Sequence, residues 1–373
     1  MLPPPSDTRV IVGLSGGVDS AVTAELLIEQ GYQVEALFMF NWQEDEDAYC
    51  TAAEDFQDAR RVAETLGIVL HRADFSAEYR QRVFDYFLEE YAAGRTPNPD
   101  VLCNREIKFG VFLDYALRLG ADLIATGHYA RIDHAAKPPR LLKGLDDNKD
   151  QSYFLHAIDR RVLDRVRFPL GELPKTEVRD MAWSRGLHNH ARKDSTGICF
   201  IGERPFAKFL GGFLPAKPGK ITTTDGQPVG RHQGLMYYTL GQRQGLGLGG
   251  IRGRAEGAWY VVRKDLDSNT LIVGQGGNHP MLFSDVLWTE RAHWLVPPTT
   301  KTFACQVKTR YRQADQSARV ECLDDDTLCI RFDDDQRAVT PGQYAVLYNG
   351  DVCLGGAVIE STALAHPRAA AQQ

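Results

Sequence analysis

The sequence lacks the hydrophobic segments that membrane insertion and secretion require. No run of about 18 or more apolar residues occurs, and residues 1–5 carry neither a basic stretch nor an apolar one. We therefore predict a cytoplasmic protein without a membrane partner. Basic residues are not in excess either, because the sequence has 43 Lys and Arg and 49 Asp and Glu. Its formal net charge is −6. This balance argues against a surface coated by nucleic acid, but it permits local basic patches.

Metal-binding cysteine patterns are also missing. The seven cysteines form no Cys-x-x-Cys pair, so neither a zinc ribbon nor a common iron–sulfur site is indicated, and we predict no metal site. In a cytosolic protein any disulfide would be transient and catalytic. Cys50 follows an acidic run, which disfavours a thiolate. Four further cysteines lie in or beside β-like segments and are predicted to be core residues, namely Cys305, Cys322, Cys329 and Cys353.

One glycine-rich turn lies between the apolar run at residues 10–12 and a helical pattern. It consists of Gly13, Leu14, Ser15, Gly16, Gly17, Val18, Asp19 and Ser20. We expect Gly16 and Gly17 to adopt positive φ and to bring backbone N–H groups against phosphate oxygens at the start of a helix. The turn lacks the lysine of a Walker loop, which has four residues between its glycines. A Gly-Gly pair by itself fits an ordinary tight turn equally well.

Strand-like and helical segments alternate in the N-terminal part of the chain. Helices are predicted over residues 21–30, 51–66, 77–92 and 106–119, and strands over residues 33–40, 68–70 and 123–126. This alternation predicts right-handed βαβ units around a parallel sheet. From about Pro215 onward, short β-like runs at close spacing predict a small antiparallel barrel. The fold class is therefore α/β with a second, all-β part.

Ligands of an open parallel sheet collect beyond the carboxyl ends of its strands. Three chain segments are expected there, namely the glycine-rich turn, the end of the second strand at Met39, and Gly127-His128 after the strand that ends at Thr126. We expect all three to face one nucleotide. His128 is equally compatible with a hydrogen-bonded loop residue that has no function.

Two cysteines remain as candidates for chemistry. Cys103 lies near the end of the segment 94–104, whose two prolines predict a rigid extended loop that also carries Asp100. Its polar neighbours favour partial exposure and a lowered thiol pKa, whereas an isolated cysteine is more often a buried apolar residue. Cys199 follows the small-residue loop 194–197 and leaves the same two interpretations open.

Several strings together resemble the bacterial tRNA-specific 2-thiouridylases of the pyrophosphatase-loop ATPase superfamily. The strings are SGGVDS at 15–20, GRTPNPD at 94–100 with Cys103, ATGHY at 125–129, NKDQSYF at 148–154, DSTGICFIGE at 194–203, GLMYYTLGQR at 234–243, KTRYR at 308–312 and TPGQ at 340–343. The similarity runs from about residue 10 to about residue 360. On charge alone, the segment 308–312 is better explained by a solvated strand face.

The resemblance implies an enzyme that thiolates C2 of the wobble uridine of tRNA. The C2 carbonyl oxygen is adenylated by ATP, with Mg²⁺, and sulfur from a cysteine persulfide then displaces AMP. By resemblance, Cys199 carries the persulfide, Cys103 is the nucleophile that forms a disulfide with it, and Asp100 is the general acid/base. The sulfur donor is a cysteine desulfurase or a sulfur-relay carrier protein.

The resemblance also assigns binding residues. The nucleotide is held by residues 13–20, Met39 and Gly127, and the target base by Asn98, Pro99 and Asp100. The remaining tRNA contacts are His128, Lys149, Asp150, Gln151, Arg310, Tyr311 and Gln343.

The resemblance further implies an ATP-binding and catalytic domain over residues 1–207 with both reactive cysteines. A small central domain over 208–281, a C-terminal β-barrel over 282–361 and a flexible tail over 362–373 follow. Two other functions fit parts of the sequence. An AMP-forming amidating ligase uses the same loop but needs no reactive cysteine, and a non-catalytic protein that binds ATP and tRNA would release no pyrophosphate.

Overall fold

The computed structural model describes residues 3–42, 51–192, 204–249 and 257–364. Its N-terminal part contains seven strands, which are β1 (Arg9–Gly13), β2 (Gln33–Phe40), β3 (Leu70–Asp74), β4 (Leu123–Ala125), β5 (Ala130–Asp133), β6 (Arg140–Lys143) and β7 (Val166–Arg167). Five of them form a parallel sheet in the order β3-β2-β1-β4-β7. The predicted parallel α/β class is thereby confirmed.

Helices cover this sheet. They are α1 (Val18–Glu29), α2 (Thr51–Leu66), α3 (Ser76–Tyr79), α4 (Asp85–Ala92), α5 (Pro99–Leu102), α6 (Phe112–Arg118), α7 (Ser152–Leu155), α8 (Lys175–Ser184) and α9 (Phe206–Gly211). Two π-helical segments, Arg80–Phe84 and Cys103–Val111, continue α3 and α5. Among the described helices, none combines the length and the apolar character needed to cross a membrane.

The central strand β1 is buried on both faces. Ile11 packs into one hydrophobic cluster, while Val10 and Val12 pack into another on the opposite side, and all three are fully buried. Alternate side chains of a strand point to opposite faces, so an uninterrupted apolar run suits a strand that is covered on both sides. Because both faces of β1 are covered, a ligand can approach this strand only at its carboxyl end.

The segment that was predicted to be an extended loop, 94–104, is helical from Pro99 onward. Asn98 is the N-cap, and its side-chain oxygen accepts the Asp100 N–H at 3.2 Å. Proline is favoured at the first helical position because its missing N–H would be unpaired there anyway. The prediction was wrong because proline breaks a helix only in its interior, and Asn98-Pro99 is a helix-start signal.

A small central sheet follows α9. Its strands are β8 (Gly219–Thr223), β9 (Pro228–His232), β10 (Trp259–Asp265) and β11 (Thr270–Gln275), in the order β10-β11-β8-β9. The β11–β8 pair is parallel, whereas the two outer pairs are antiparallel. Ile221, Val261 and Leu271 are fully buried between the sheet and the chain that covers it.

The C-terminal strands close into an antiparallel barrel, as predicted. They are β12 (Phe283–Thr289), β13 (His293–Trp294), β14 (Thr302–Lys308), β15 (Gln316–Cys322), β16 (Leu328–Arg337), β17 (Tyr344–Asn349) and β18 (Val352–Leu364). The order β12-β16-β15-β14-β17-β18 closes because β18 also pairs with β12. β6 pairs with β18 through Leu142 and Val352, on the edge opposite β17, so the β5–β6 hairpin extends the barrel sheet.

The cysteines of the barrel are core residues, as predicted. Cys305, Cys329 and Cys353 are buried and Cys322 is partly buried, all with free thiols. Burial raises the pKa of both Cys305 and Cys353 to about 12. These thiols are therefore protonated at neutral pH and poor nucleophiles.

Candidate active site

The glycine-rich turn joins β1 to α1. Gly16 has φ +82°, and a Cβ on it would lie 2.5 Å from the Asp55 carbonyl oxygen, so only glycine fits. Gly17, for which a positive φ was expected, has φ −79° and serves as the N-cap of α1. The expectation for Gly17 was wrong because a single left-handed residue is enough to reverse the chain before the helix.

The two serines of the turn stabilise its shape. Ser20 Oγ donates to the Gly17 carbonyl oxygen at 3.0 Å and accepts the Ser15 N–H at 3.2 Å. Leu14 and Val18 are buried in the hydrophobic core, so these two positions can present only backbone groups to a ligand. Together these contacts leave the first turn of α1 facing the edge of the sheet, which is a suitable site for an anion.

Met39 and Gly127 both lie against this turn. A Cβ on Gly13 would lie 3.3 Å from Met39 Cε, and a Cβ on Gly127 would lie 2.8 Å from the carbonyl carbon of Asp19. The three segments expected to face one nucleotide therefore do meet at the carboxyl edge of the sheet. Gly127 packs so closely that any side chain would displace the start of α1.

Asp19 forms an ion pair that the sequence did not indicate. Lys175 Nζ lies 2.7 Å from Asp19 Oδ1 and 2.8 Å from Oδ2, and the Tyr129 hydroxyl donates to Oδ1 at 2.8 Å. Lys175 begins α8, which packs against α1, and it is only 7% exposed. The two residues are 156 positions apart in the sequence, so no local pattern indicated this contact.

Cys103 lies at the start of the π-helical segment and is 4% exposed. The expected partial exposure was wrong, because the segment is a helix whose apolar face packs into the core around Val101, Leu102 and Ile107. π-helical turns are rare and frequently occur at functional sites. Cys199, the other candidate cysteine, lies outside the described residues.

Asp100 stands one helical turn before Cys103. Burial raises the pKa of the Asp100 carboxyl, and the positive charge of Lys108 partly opposes this effect. A carboxyl group with a raised pKa is well suited to exchange protons near neutral pH. Lys108 also belongs to the π-helical segment, and no sequence pattern indicated its role.

Lys108 connects this helix to His128. Its Nζ lies 3.4 Å from His128 Nε2, and His128 Nδ1 lies 2.7 Å from Thr126 Oγ1. Burial and the neighbouring Lys108 keep the pKa of His128 well below its usual value, so the imidazole is neutral. His128 is 6% exposed and follows Gly127 directly, which joins the candidate nucleotide edge to the Asp100 helix.

The segment that contains Lys149, Asp150 and Gln151 is tied to the same framework. The Asp150 carboxylate is buried and accepts the N–H groups of Gly144 and Ser152, each at 3.0 Å. Gln151 Oε1 accepts the Tyr129 N–H at 3.0 Å. Since the Asp150 side chain is fully engaged inside the protein, a ligand at this position would meet its backbone.

Tyr311 and Arg310 lie beside this segment. The Tyr311 ring centroid is 4.4 Å from that of Phe154, and its hydroxyl donates to the Lys149 carbonyl oxygen at 3.4 Å. Arg310 is exposed. Asn104 Nδ2 donates to the Phe154 carbonyl oxygen at 3.2 Å, so this aromatic pair adjoins the π-helical segment.

The central sheet and the barrel both hold the chain just before Asn98. Gln343 Nε2 donates to the Thr96 carbonyl oxygen at 2.7 Å, and the Thr96 N–H donates to the Pro341 carbonyl oxygen at 3.1 Å. From the central sheet, Lys264 Nζ donates to the Gly94 carbonyl oxygen at 2.8 Å. Burial lowers the pKa of Lys264 to about 8. The three parts of the molecule therefore converge on the segment that leads to Asp100.

Two further side chains connect the glycine-rich turn to the chain that enters residues 193–203. Asn189 Nδ2 donates to the Gly16 carbonyl oxygen at 2.9 Å. Arg192 Nη1 contacts Asp58 Oδ2 at 2.6 Å, and the same guanidinium pairs with Asp55. Asn189 was not identified from the sequence, since an amide group in a loop carries no pattern of its own.

No metal site is evident within the described ranges, where no group of three or more His, Cys, Asp and Glu side chains is arranged to hold an ion. The site offers an anion-binding turn, a half-buried carboxyl group one helical turn before a buried thiol, and an aromatic and basic surface beside them. This combination suits phosphate chemistry followed by nucleophilic substitution on an aromatic base.

Three family models match successive parts of the chain. Residues 8–203 match the tRNA methyl transferase HUP domain, residues 207–275 the tRNA methyl transferase PRC-barrel domain, and residues 284–359 the aminomethyltransferase beta-barrel domain. The first of these alone covers more than half of the sequence.

The chain is also similar over nearly its whole length to curated proteins named tRNA-specific 2-thiouridylase MnmA. The protein of Pseudomonas putida (strain GB-1) is 58% identical over 98% of this chain and 98% of its own. That of Chromohalobacter salexigens is 59% identical over 95% of this chain and 93% of its own. With this identity and coverage, the chain belongs to the tRNA-specific 2-thiouridylase family.

Proposed function

We propose that this protein replaces the C2 oxygen of the wobble uridine of tRNA by sulfur and consumes ATP to AMP and pyrophosphate. The observation that carries the proposal is the junction of two sites at one sheet edge. The turn around Gly16 adjoins Gly127, and the next residue, His128, contacts the helix that bears Asp100 and Cys103. Activation by a nucleotide and attack by sulfur can therefore occur on one bound base.

ATP fits the edge formed by residues 13–20, Met39 and Gly127. The first turn of α1 offers N–H groups and the positive end of the helix dipole to phosphate oxygens. Mg²⁺ would be held mainly by the phosphates, since Asp19 is the carboxylate of this turn and Mg²⁺ commonly binds one or two carboxylates together with substrate phosphates. The chemistry that ATP supplies is adenylation.

In the first step, the C2 carbonyl oxygen of the uridine attacks the α-phosphorus and pyrophosphate leaves. The oxygen becomes a better nucleophile when the N3 proton of the base is removed, and Asp100 is the group that we assign to this proton transfer. Its raised pKa makes the carboxylate a stronger base than a solvated aspartate. Asn98 and Pro99 fix Asp100 at the helix N-terminus and border the base.

In the second step, sulfur displaces AMP from C2. The persulfide on Cys199 is the sulfur source, and the Cys103 thiolate attacks its inner sulfur. The S–S bond of the persulfide breaks, hydrogen sulfide departs with the electron pair, and a Cys103–Cys199 disulfide remains. The released sulfide attacks C2, AMP leaves, and an external thiol reduces the disulfide before the next turnover.

Binding of tRNA is assigned to His128, Gln343, the segment Lys149–Gln151, and the pair Arg310 and Tyr311. The aromatic ring of Tyr311 and the exposed guanidinium of Arg310 suit stacking and phosphate contact, respectively. The base must leave the anticodon stack to reach Cys103. A tRNA substrate agrees with a cytoplasmic location, and the sulfur donor is a cysteine desulfurase or a relay carrier.

A single-turnover reaction tests the proposal. Purified protein is mixed with ATP, Mg²⁺, unmodified tRNA and a cysteine desulfurase with cysteine, and mass spectrometry follows the wobble nucleoside and AMP. We expect one sulfur in place of one oxygen, together with AMP. Cys199→Ser should abolish thiolation while tRNA binding stays near the unmodified protein's value. Thiolation by Cys199→Ser without free sulfide would contradict the role of Cys199.

The same reaction separates the alternatives. AMP without sulfur gain, unaffected by alkylation of the two cysteines, would favour an amidating ligase. Absence of both products would favour a protein that only binds ATP and tRNA.

Because two of the matched family models carry the words methyl transferase, a parallel reaction with S-adenosylmethionine tests methyl transfer directly. A methylated nucleoside there would overturn the proposal.

A further inference from the structure

The anion-binding turn has a deficit of positive charge. Residues 13–20 contain no lysine or arginine, although the group that leaves when ATP is split to AMP carries several negative charges. Backbone N–H groups and a helix dipole supply only partial charges. A cation from elsewhere in the fold, in addition to Mg²⁺, would therefore stabilise the leaving pyrophosphate.

Lys175 occupies the appropriate position. Its ammonium group contacts both carboxylate oxygens of Asp19, at 2.7 and 2.8 Å, in the first turn of α1. It also lies 5.7 Å from the centroid of the Tyr129 ring, which borders the same carboxylate. The Lys175 side chain is 9% exposed, whereas that of Asp19 is 32% exposed. The carboxylate of the pair is thus more accessible to solvent than its ammonium group.

The backbone of Lys175 is held in place from a second direction. Its N–H donates to Asp146 Oδ2 at 3.0 Å, which caps the start of α8. The Asp146 carbonyl oxygen in turn accepts the N–H groups of Lys149 and Asp150, at 2.9 and 2.8 Å. The lysine is therefore positioned by the same turn that leads into the proposed tRNA-contacting segment.

A purely structural pair is the less economical explanation. Burial of an ammonium group is costly unless a partner compensates it, and apolar residues would join α1 to α8 at no such cost. Arg192, which also contacts the turn, is engaged by Asp55 and Asp58. Lys175 is instead engaged by a carboxylate that an incoming phosphate can replace.

We propose that Lys175 is the phosphate-binding cation of this site. Asp19 holds its ammonium group in the free protein, and in the ATP complex the ammonium group binds the β- and γ-phosphates that leave as pyrophosphate. This inference rests on the proposed use of ATP. The lysine that is missing from the turn itself is thereby supplied by α8.

Calorimetric binding of ATP, inorganic pyrophosphate and AMP tests the inference. We expect Lys175→Met to weaken the binding of ATP and pyrophosphate about 10- to 100-fold, the usual effect of losing a charged hydrogen bond. AMP lacks the β- and γ-phosphates, so its affinity should not change, and it also reports that the variant is folded. Equal pyrophosphate affinity in Lys175→Met and the unmodified protein would overturn the inference.

Arg185→Met is the matched control. Arg185 follows α8 and pairs with Glu25 and Glu29 of α1, so this variant removes an ion pair between the same two helices at their opposite end. Its affinity for pyrophosphate should equal that of the unmodified protein. An equal loss in both variants would show that helix packing, not charge at the turn, controls binding, and would overturn the inference.

Asp19→Asn provides a test that does not depend on the Lys175 variant. In the absence of Mg²⁺, removal of the competing carboxylate should raise pyrophosphate affinity, and an unchanged or lower affinity would contradict the exchange of partners. The failure of the proposed function is distinguishable from these results. In that case the unmodified protein would form no AMP with tRNA, whatever the variants bind.

Discussion

Gln343 of the barrel donates a hydrogen bond to the carbonyl oxygen of Thr96, two residues before the cap of the helix that carries Asp100. Gln343→Ala should lower the saturating rate of AMP formation about 10-fold or more, because small misplacements of a reacting group are costly. Gln306→Ala is the control, since Gln306 also bonds a backbone group of the barrel, the Gly350 N–H. A change in tRNA affinity alone would show that Gln343 acts only as a tRNA contact.

Gly16 and Gly31 provide a matched pair of substitutions. Both have positive φ, +82° and +85°, but a Cβ on Gly16 meets the Asp55 carbonyl oxygen at 2.5 Å while a Cβ on Gly31 meets nothing within 4 Å. Gly31→Ala should cost about 1 kcal/mol of unfolding free energy and leave ATP binding intact. Gly16→Ala should abolish ATP binding. Calorimetry and urea unfolding measure both effects, and equal ATP affinity would contradict the assigned role of the turn.

Lys108 should control the proton affinity of Asp100. Its positive charge lowers the Asp100 pKa against the effect of burial, so Lys108→Met should raise that pKa further. The limb of the pH–rate profile that reports Asp100 should then move to higher pH. Lys208→Met, at an exposed position of α9, is the control and should not move it. An unshifted limb would mean that another group governs this part of the profile.

His156 should make the protein less stable in mild acid. Burial lowers its pKa to about 3, while its Nδ1 donates to the Tyr153 carbonyl oxygen at 2.7 Å. Below an unfolded-state pKa of about 6.5 the unfolded chain binds the proton and the native state does not, so stability falls as the pH decreases. At pH 5 this amounts to about 2 kcal/mol.

His156→Leu provides the measurement. Relative to the unmodified protein, it should be less stable at pH 8 because the bond to Tyr153 is lost, and the difference should shrink as the pH falls toward 5. Urea unfolding at both values gives the comparison. An equal difference in unfolding free energy at pH 8 and pH 5 would show that the pKa of His156 is the same in the folded and unfolded states.

Local sequence patterns were sufficient where the structure depends on neighbouring residues. The glycine-rich turn, the helix Thr51–Leu66 and the strand Gln33–Phe40 were all predicted, since each depends on spacing, glycine or apolar runs along a short stretch. The helix at Pro99 was missed because proline both stops and starts helices. The predicted partial exposure of Cys103 was wrong because its burial depends on packing around Ile107 and Leu102. The polar residues next to Cys103 in the sequence do not reveal that packing.

The sequence by itself determined the α/β class, the barrel and the family resemblance, because apolar periodicity and motif strings are carried by consecutive residues. Only the tertiary structure decided which distant groups meet. Lys175 reaches Asp19, Gln343 reaches Thr96, and Lys108 reaches His128. The physical reason is that a hydrogen bond or ion pair depends on distances of about 3 Å between atoms, and chain separation says nothing of such distances until the sheet, the helices and the barrel are packed.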